Sequence, residues 1–551
     1  MKKILFAIVG VAVLFSACSK DHLQKLEQNP YRTIIEYTPG TFQMEAPGQI
    51  TPDALYPWIS FTQNGNSVSF TVRRNTQDLI RRAEFSIAGS SQKLVVNQRA
   101  HKLDGTVTTA LVNQGATEVT VSSTLTTAFS DDYASWGIIY GKSSDIASGK
   151  DVPQSGTPGK TQATIEGLEE GADYYLWTYV LSTEGDRIFS EMLAIIAPAF
   201  VRAGEDLQKA IDEAKQYQEI RVLGGLSFVA PKGGFKMGGK NVNKSVSGGW
   251  NSDFTAQSME NLTKLDGNKG YGFWCAEEDG SPMNGSTAIS FFEVYNCSGD
   301  HGTAFHCVGG PITISNCYVH DCDSEKGAIG TNEGKYKTTL TVVNCVVSNN
   351  GANAHGPAFG FGEGESDANP VKATLIGNLI VDNVSTKKDG YASTFICYNQ
   401  TELILVNNTI VGNKNWAEYS GPYSGMVLRG DVCSVFANNI MVGNFTSPCT
   451  KEMADPEYER QDGFLNMGGG IGTLANNIYE GSMKEAAGAT VKDQIDFPLG
   501  GDISAILTAD YKPVGAAVGA GTLGSISYAG KKFGPYTLDV KKLLEDYPID
   551  L

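Results

Sequence analysis

LIGNLIVDN (375–383) and LVNNTIVGN (405–413) decide the fold. Each places short apolar runs on either side of an asparagine and ends on another. Five more segments share the pattern: ISFFEVYNC (289–297), ISNCYVHDC (314–322), VVNCVVSNN (342–350), FANNIMVGN (436–444) and LANNIYEGS (474–482). In chain order their fourth residues are Phe292, Cys317, Cys345, Asn378, Asn408, Asn439 and Asn477, at steps of 25, 28, 33, 30, 31 and 38 residues. Such a period marks a solenoid whose coils carry loops of unequal length. Equivalent positions then stack at about 4.8 Å between rungs. Asn378, Asn408, Asn439 and Asn477 form an asparagine ladder whose amides hydrogen-bond along the stack and satisfy a bent backbone. Cys317 and Cys345 take two places in that ladder, and Cys297 and Cys322 stack where their segments end. Buried thiols are compact apolar fillers, a reading preferred here to metal binding. Disulfides between adjacent stacked pairs stay open, since the spacing falls within Cα limits.

Working outward, the residues after each segment also align. They read DHGTAF (300–305), EKGAI (325–329), AHGPAF (354–359), KDGYASTF (388–395) and YSGMVL (423–428). The residue before each glycine, His301, Lys326, His355, Asp389 and Ser424, makes a column about 20 Å long, enough for a few sugar units. With Phe305, Phe359 and Leu428 inward, His306 and Arg429 point outward. Tyr391, Tyr398, Trp416, Tyr419 and Tyr423 gather in the middle coils, where aromatic faces can stack on sugar rings. Glu363, Glu365 and Asp367 in GFGEGESDANP form an acidic loop able to donate to calcium.

The N-terminal half reads differently. MKK followed by ILFAIVGVAVLF and SAC looks like a bacterial lipoprotein signal, with Cys18 as the lipidated residue and residues 1–17 removed. Lipidation makes the mature chain membrane-attached rather than membrane-spanning. Residues 18–35 are polar and read as a tether. Residues 36–100 alternate apolar and polar in short runs, as a small β sandwich does. Trp58, Phe70, Asn75, Arg82, Val96 and Gln98 carry a resemblance to the BACON domain of Bacteroidetes surface proteins. Residues 101–199 form a second sandwich that resembles a fibronectin type III module, with Trp136 in its core and Leu168 and Tyr174 at a strand corner. At residue 204 the period changes, and Leu207, Ala210, Ile211 and Ala214 fall on one helical face. This helix, the strand EIRVL, SGGWNSDF (247–254) and YKPVGAAVGAG (511–521) together resemble the ends of right-handed parallel β-helices of the pectate-lyase type. The expected fold is therefore all-β: two small β sandwiches, then a right-handed parallel β-helix over residues 200–551 with an N-terminal capping helix.

Composition sets the limits on function. The chain has 551 residues and a net charge of −17, which leaves no broad positive field for nucleic acid. The whole resembles a Bacteroidetes surface lipoprotein facing the cell exterior. That resemblance implies polysaccharide binding by the β-helix, calcium as a candidate ion, and partnership with other glycan-uptake proteins at the outer membrane. The glycan-facing residues expected are His301, His306, His355, Asp389, Tyr391, Tyr398 and Trp416. A polysaccharide lyase or hydrolase is the alternative, with Lys326 or Arg429 as the base that removes a proton beside a uronate. An adhesin for host glycans is the third reading.

Overall fold

The computed structural model describes residues 30–75, 77, 79–100, 105–127, 130, 133–183, 185–331, 336–352, 355–362, 371–386, 392, 394–397, 401–415, 426–428, 434–446, 464–466, 471–475, 477–480, 490–492, 495–498, 501–509 and 511–517. Cys18, the acidic loop residues Glu363, Glu365 and Asp367, and Asp389, Tyr391, Tyr398, Trp416 and Arg429 lie outside them. The chain divides into two compact units, the second holding Leu111–Thr120, Thr164–Tyr174 and everything described from Ala194 onward.

In the first unit, a four-stranded sheet runs in the order Arg32–Ile35, Lys93–Gln98, Arg81–Ile87, Ile50–Pro52. A three-stranded antiparallel sheet is made of Gly40–Glu45, Ser67–Val72 and Ile59–Asn64. Alternation along SVSFTV and RRAEFSI sends Phe70 and Phe85 into one core with Leu94 and Val96. Buried Asn75 and Gln98 are satisfied by backbone carbonyls, as polar groups out of water must be. Farther along, Tyr133–Gly141 pairs antiparallel with Lys150–Gln154 and Tyr174–Ser182, burying Trp136. In the second unit the Tyr174 hydroxyl accepts from Glu169 N (3.0 Å), the strand corner expected from the sequence.

The rest of the second unit is a parallel β-helix built from three long sheets that have eleven, ten and eight strands among the described residues, here called sheets 1, 2 and 3. One turn of the coil takes Val371–Ile376 in sheet 1, Leu379–Val381 in sheet 2 and Phe395–Cys397 in sheet 3. Pairing in register stacks like on like. Ile289, Ile314, Val342, Leu375 and Leu405 line the inside of sheet 1. Phe273, Phe305, Ile329, Phe359 and Phe395 line sheet 3, with Phe273 on Phe305 and Phe359 on Phe395 stacked nearly face to face. The helix Leu207–Glu213 closes the start of this core with Leu207 and Ile211, and Asp206 caps it by accepting from Lys209 N (3.0 Å).

Both corners flanking sheet 2 use the same two-residue device. The first residue turns left-handed, and the second sends its side chain along the stack. Between sheets 1 and 2 the left-handed residues are Phe291, Asn316, Asn344, Gly377, Asn407 and Asn438, followed by Phe292, Cys317, Cys345, Asn378, Asn408 and Asn439. After sheet 2 they are Asn296, Asp321, Asn349, Asp382, Gly412 and Gly443, followed by Cys297, Cys322, Asn350, Asn383, Asn413 and Asn444. Asparagine, aspartate and glycine tolerate this backbone best. There are thus two asparagine ladders. In the first, Asn378 Nδ2 donates to Asn408 Oδ1 (2.9 Å); in the second, Asn383 Nδ2 donates to Asn413 Oδ1 (2.8 Å). Cys345 continues the first ladder: its backbone N donates to Asn378 Oδ1 (2.9 Å), and its sulfur accepts from Cys317 N (3.5 Å).

The outer face of sheet 2 changes character along the coil. From Val346 through Leu379, Val381, Val411, Ile440, Val442 and Ile478 it is apolar and buried. Ile503, Ile506, Leu507 and Ala517 of the C-terminal segment fold back over that strip. Before Val346 the same face carries Glu293, Tyr295, Tyr318 and His320, of which Tyr318 packs against the strip.

Candidate functional site

The outer face of sheet 3 gathers chemistry in its first rungs. Side chains alternate across a strand, so the residues beside the inward phenylalanines point out. In register these are Lys236, Trp274, His306, Gly330, Gly360 and Ile396. Lys236 Nζ lies 4.3 Å from the Trp274 ring centroid, and the Trp274 and His306 rings stack at 4.0 Å and 18°. Tyr271 meets both edge-on, at 5.0 and 5.7 Å. Trp274 Nε1 donates to Glu277 O (2.8 Å), which fixes the plane of the indole.

Lys236 opens onto a cavity of about 720 Å³ bounded by Gln208, Asp212, Lys232, Lys240, Glu277 and Glu278, among others. Its Nζ donates to Gly233 O (2.8 Å) and pairs with no carboxylate among the described residues. Burial lowers its pKa. Lys240, by contrast, is tied to Asp212 (3.2 Å). A half-buried cation over an indole face, beside a polar cavity, suits a ring-shaped, hydroxyl-rich ligand with an anionic group.

His306 stands behind this platform. It is only 3% exposed; Nδ1 is 3.0 Å from His301 O, and Nε2 is buried without a hydrogen-bond partner among the described residues. Burial pushes its pKa down to about 4, so the ring is neutral near pH 7. The sequence placed it outward, which holds. The expectation that it faces a glycan does not, because Trp274 and Tyr271 enclose it.

The expected column is formed in part. His301 and Lys326 pair in register in a short parallel ribbon, Ser298–His301 with Asp323–Lys326. His355 N donates to Glu325 O (2.7 Å), which sets His355 in line with Lys326. Ala392 N then donates to His355 O (2.8 Å), which sets Ala392 in line with Gly356. Asp389 itself lies outside the described residues. Farther on, Met426 pairs with Phe395, which sets Val427 in line with His306, while Arg429 lies outside the described residues. His355 is 7% exposed, with Nε2 3.8 Å from Glu325 Oε1, and presents no open ring face. The ribbon lies close over sheet 3: a Cβ on Gly330 would meet Lys326 O at 3.1 Å and Gly302 N at 3.2 Å.

A second polar cluster lies on the earlier rungs of sheet 2. His320 sits between Asp321 (Nδ1 to Oδ2, 2.7 Å) and Glu293 (Nε2 to Oε1, 3.2 Å), with Tyr318 and Tyr295 stacked on its ring at 4.2 and 5.5 Å. Burial alone would lower the His320 pKa, but the two carboxylates together outweigh it and raise it. The hydrogen bond to His320 lowers that of Glu293. Both imidazole nitrogens are engaged, so this cluster offers no free acid or base. Among the described residues, no group of three or more His, Cys, Asp or Glu side chains is arranged to hold a metal ion.

Sequence reading missed Trp274, Tyr271 and Lys236. The signal was present: GFWC (272–275) repeats as AFHC (304–307), which puts Trp274 directly under His306.

No protein-family model matches the chain, and no curated protein matches it. Among solved structures it is similar to a family 28 exopolygalacturonase of Yersinia enterocolitica (10% identity, 74% of this chain and 100% of that one, TM-score 0.19). It is similar also to the pectate lyase Pel3 of Pectobacterium carotovorum (12% identity, 71% and 100%, TM-score 0.21). The chicken CNTN1 FN1–FN3 domains are similar over 31% of this chain and 68% of that one, at 12% identity and TM-score 0.17. Likenesses this slight carry no argument about chemistry, which rests on the residues themselves.

Proposed function

We propose that this protein is a lipid-anchored surface protein that binds polysaccharide on the outer face of sheet 3. One observation carries the reading: Lys236 Nζ lies 4.3 Å over Trp274 at a cavity of about 720 Å³. Lys236 supplies a cation that is already partly desolvated, and Trp274, held between Lys236 and His306, fixes where that cation stands. His306 backs the indole and keeps it from rotating. The surrounding Gln208, Glu277 and Glu278 add polar groups for hydroxyls. The signal around Cys18 supports export and anchoring.

Elimination is the competing reading. Burial lowers the Lys236 pKa and so favours the neutral amine a base requires. A polysaccharide screen of the purified protein, with and without calcium, separates the two. Affinity electrophoresis reads binding, and absorbance in the unsaturated-uronate band reads cleavage. Retardation without new absorbance is expected. Trp274→Ala should lose tenfold or more in affinity, about 1.4 kcal/mol. Equal retardation of Trp274→Ala and Lys236→Met would remove this site, and new absorbance would make the protein a lyase.

A further inference from the structure

Seven described cysteines are free and buried: Cys275, Cys297, Cys307, Cys317, Cys322, Cys345 and Cys397. Six of them fall into pairs on successive rungs. Cys275 and Cys307 are in-register partners at the C-terminal ends of two adjacent sheet 3 strands. Cys317 and Cys345 hold successive places in the ladder between sheets 1 and 2, where Cys317 N donates to Cys345 Sγ. Cys297 and Cys322 hold successive places in the ladder after sheet 2, with their thiols in hydrogen-bond contact. Rung spacing of about 4.8 Å lies inside the Cα separation a disulfide accepts. The segments overlap in sequence, 275–307, 297–322 and 317–345, and each pair sits at a different corner of the coil.

We propose that these pairs are three disulfide sites, Cys275–Cys307, Cys297–Cys322 and Cys317–Cys345, closed by thiol–disulfide exchange while the chain folds in an oxidising compartment. The oxidant is a small-molecule or protein disulfide. One cysteine thiolate attacks it, forming a mixed disulfide and releasing one thiol. The partner thiolate then displaces the second. Two thiol hydrogens per pair pass to the oxidant, which leaves as two thiols. Timing follows from burial. The Cys307 and Cys345 thiols are fully enclosed, which disfavours their thiolates, so a closed coil resists both oxidation and reduction. The pairs are set as rungs 273–348 assemble. Cys397 has no thiol beside it among the described residues and serves as an internal reference.

The test is a peptide map of the full chain folded with oxidised and reduced glutathione, then alkylated in denaturant without reductant. Three cross-linked peptide pairs are expected, with six alkyl groups fewer than the reduced chain and Cys397 alkylated. Full alkylation of all six, or links in any other pairing, overturns the proposal. Cys275→Ser gives a second reading: Cys307 should become alkylatable while the other two links persist. A Cys307 that finds a new partner also overturns it.

Discussion

Asn383→Ala tests whether the corner ladders hold the coil by hydrogen bonds or by filling space. Asn383 is fully buried. Its Oδ1 accepts from Asn350 N (3.1 Å) and Asn350 Nδ2 (3.0 Å), and its Nδ2 donates to Asn413 Oδ1 (2.8 Å) and Val347 O (2.9 Å). After truncation Asn350 Nδ2 keeps Val319 O, and Asn413 Oδ1 keeps Asn383 N. The Asn350 amide loses its acceptor and stays out of water. An orphaned buried donor costs about 1–3 kcal/mol, and each net bond lost adds about 0.5–1.5. Even the low end, for one orphan and three further bonds, is about 3 kcal/mol. At 1.4 kcal/mol per decade that is roughly a hundredfold more frequent opening of the corner. Hydrogen exchange by mass spectrometry on the peptide containing Asn350 reads it directly, and urea unfolding gives the global figure. Lys372→Ala is the control, since its bridge to Glu402 (2.7 Å) is about half exposed and worth little. Should Asn383→Ala cost under about 1 kcal/mol, no more than the control, the ladder is packing and the bonds are incidental.

The two histidine environments predict opposite pH responses. His320 has a raised pKa, so its carboxylate contacts stabilise fully below the unfolded value near 6.5 and lose that effect as pH climbs through the folded value. His306, pushed down to about 4, behaves the other way: stability is retained above about 6.5 and falls as pH drops towards 4. NMR titration of the ring protons, assigned with His320→Gln and His306→Phe, checks both, and a shared midpoint near 6.5 would contradict both. Gly360→Ala drives a Cβ into the Lys326 carbonyl and should lower stability by about 1–3 kcal/mol in thermal melts. Gly159→Ala, with open space around its Cβ, should leave the melt unchanged.

The coil was legible because one residue type recurs at one place in each turn. Asn378, Asn408, Asn439 and Asn477 name the first ladder outright. The second was half visible: Cys297 and Cys322 were read as stacked, while Asn350, Asn383, Asn413 and Asn444, in the same place, were not. The candidate site was the hard part. Sheet 3 strands such as Phe235–Lys236 and Phe273–Cys275 are too short to show a period. Loops of unequal length then blur the register from one rung to the next. His355 was correctly set beside Lys326, yet sequence alone does not report that the ribbon presses against sheet 3 and hides its ring.

The C-terminal cover of sheet 2 bears on how such a chain can change length. Turns of a coil touch only their neighbours, so duplicating one costs little inside the stack. Outside it the cost differs by place. A turn copied between Val346 and Ile478 would add an apolar strip beyond the reach of residues 503–517 and leave it wet. A turn copied around Tyr318 and His320 would add only a polar one. Proteins built on this plan should therefore vary in their early turns, while the number of later turns is fixed by the span of the segment that roofs them.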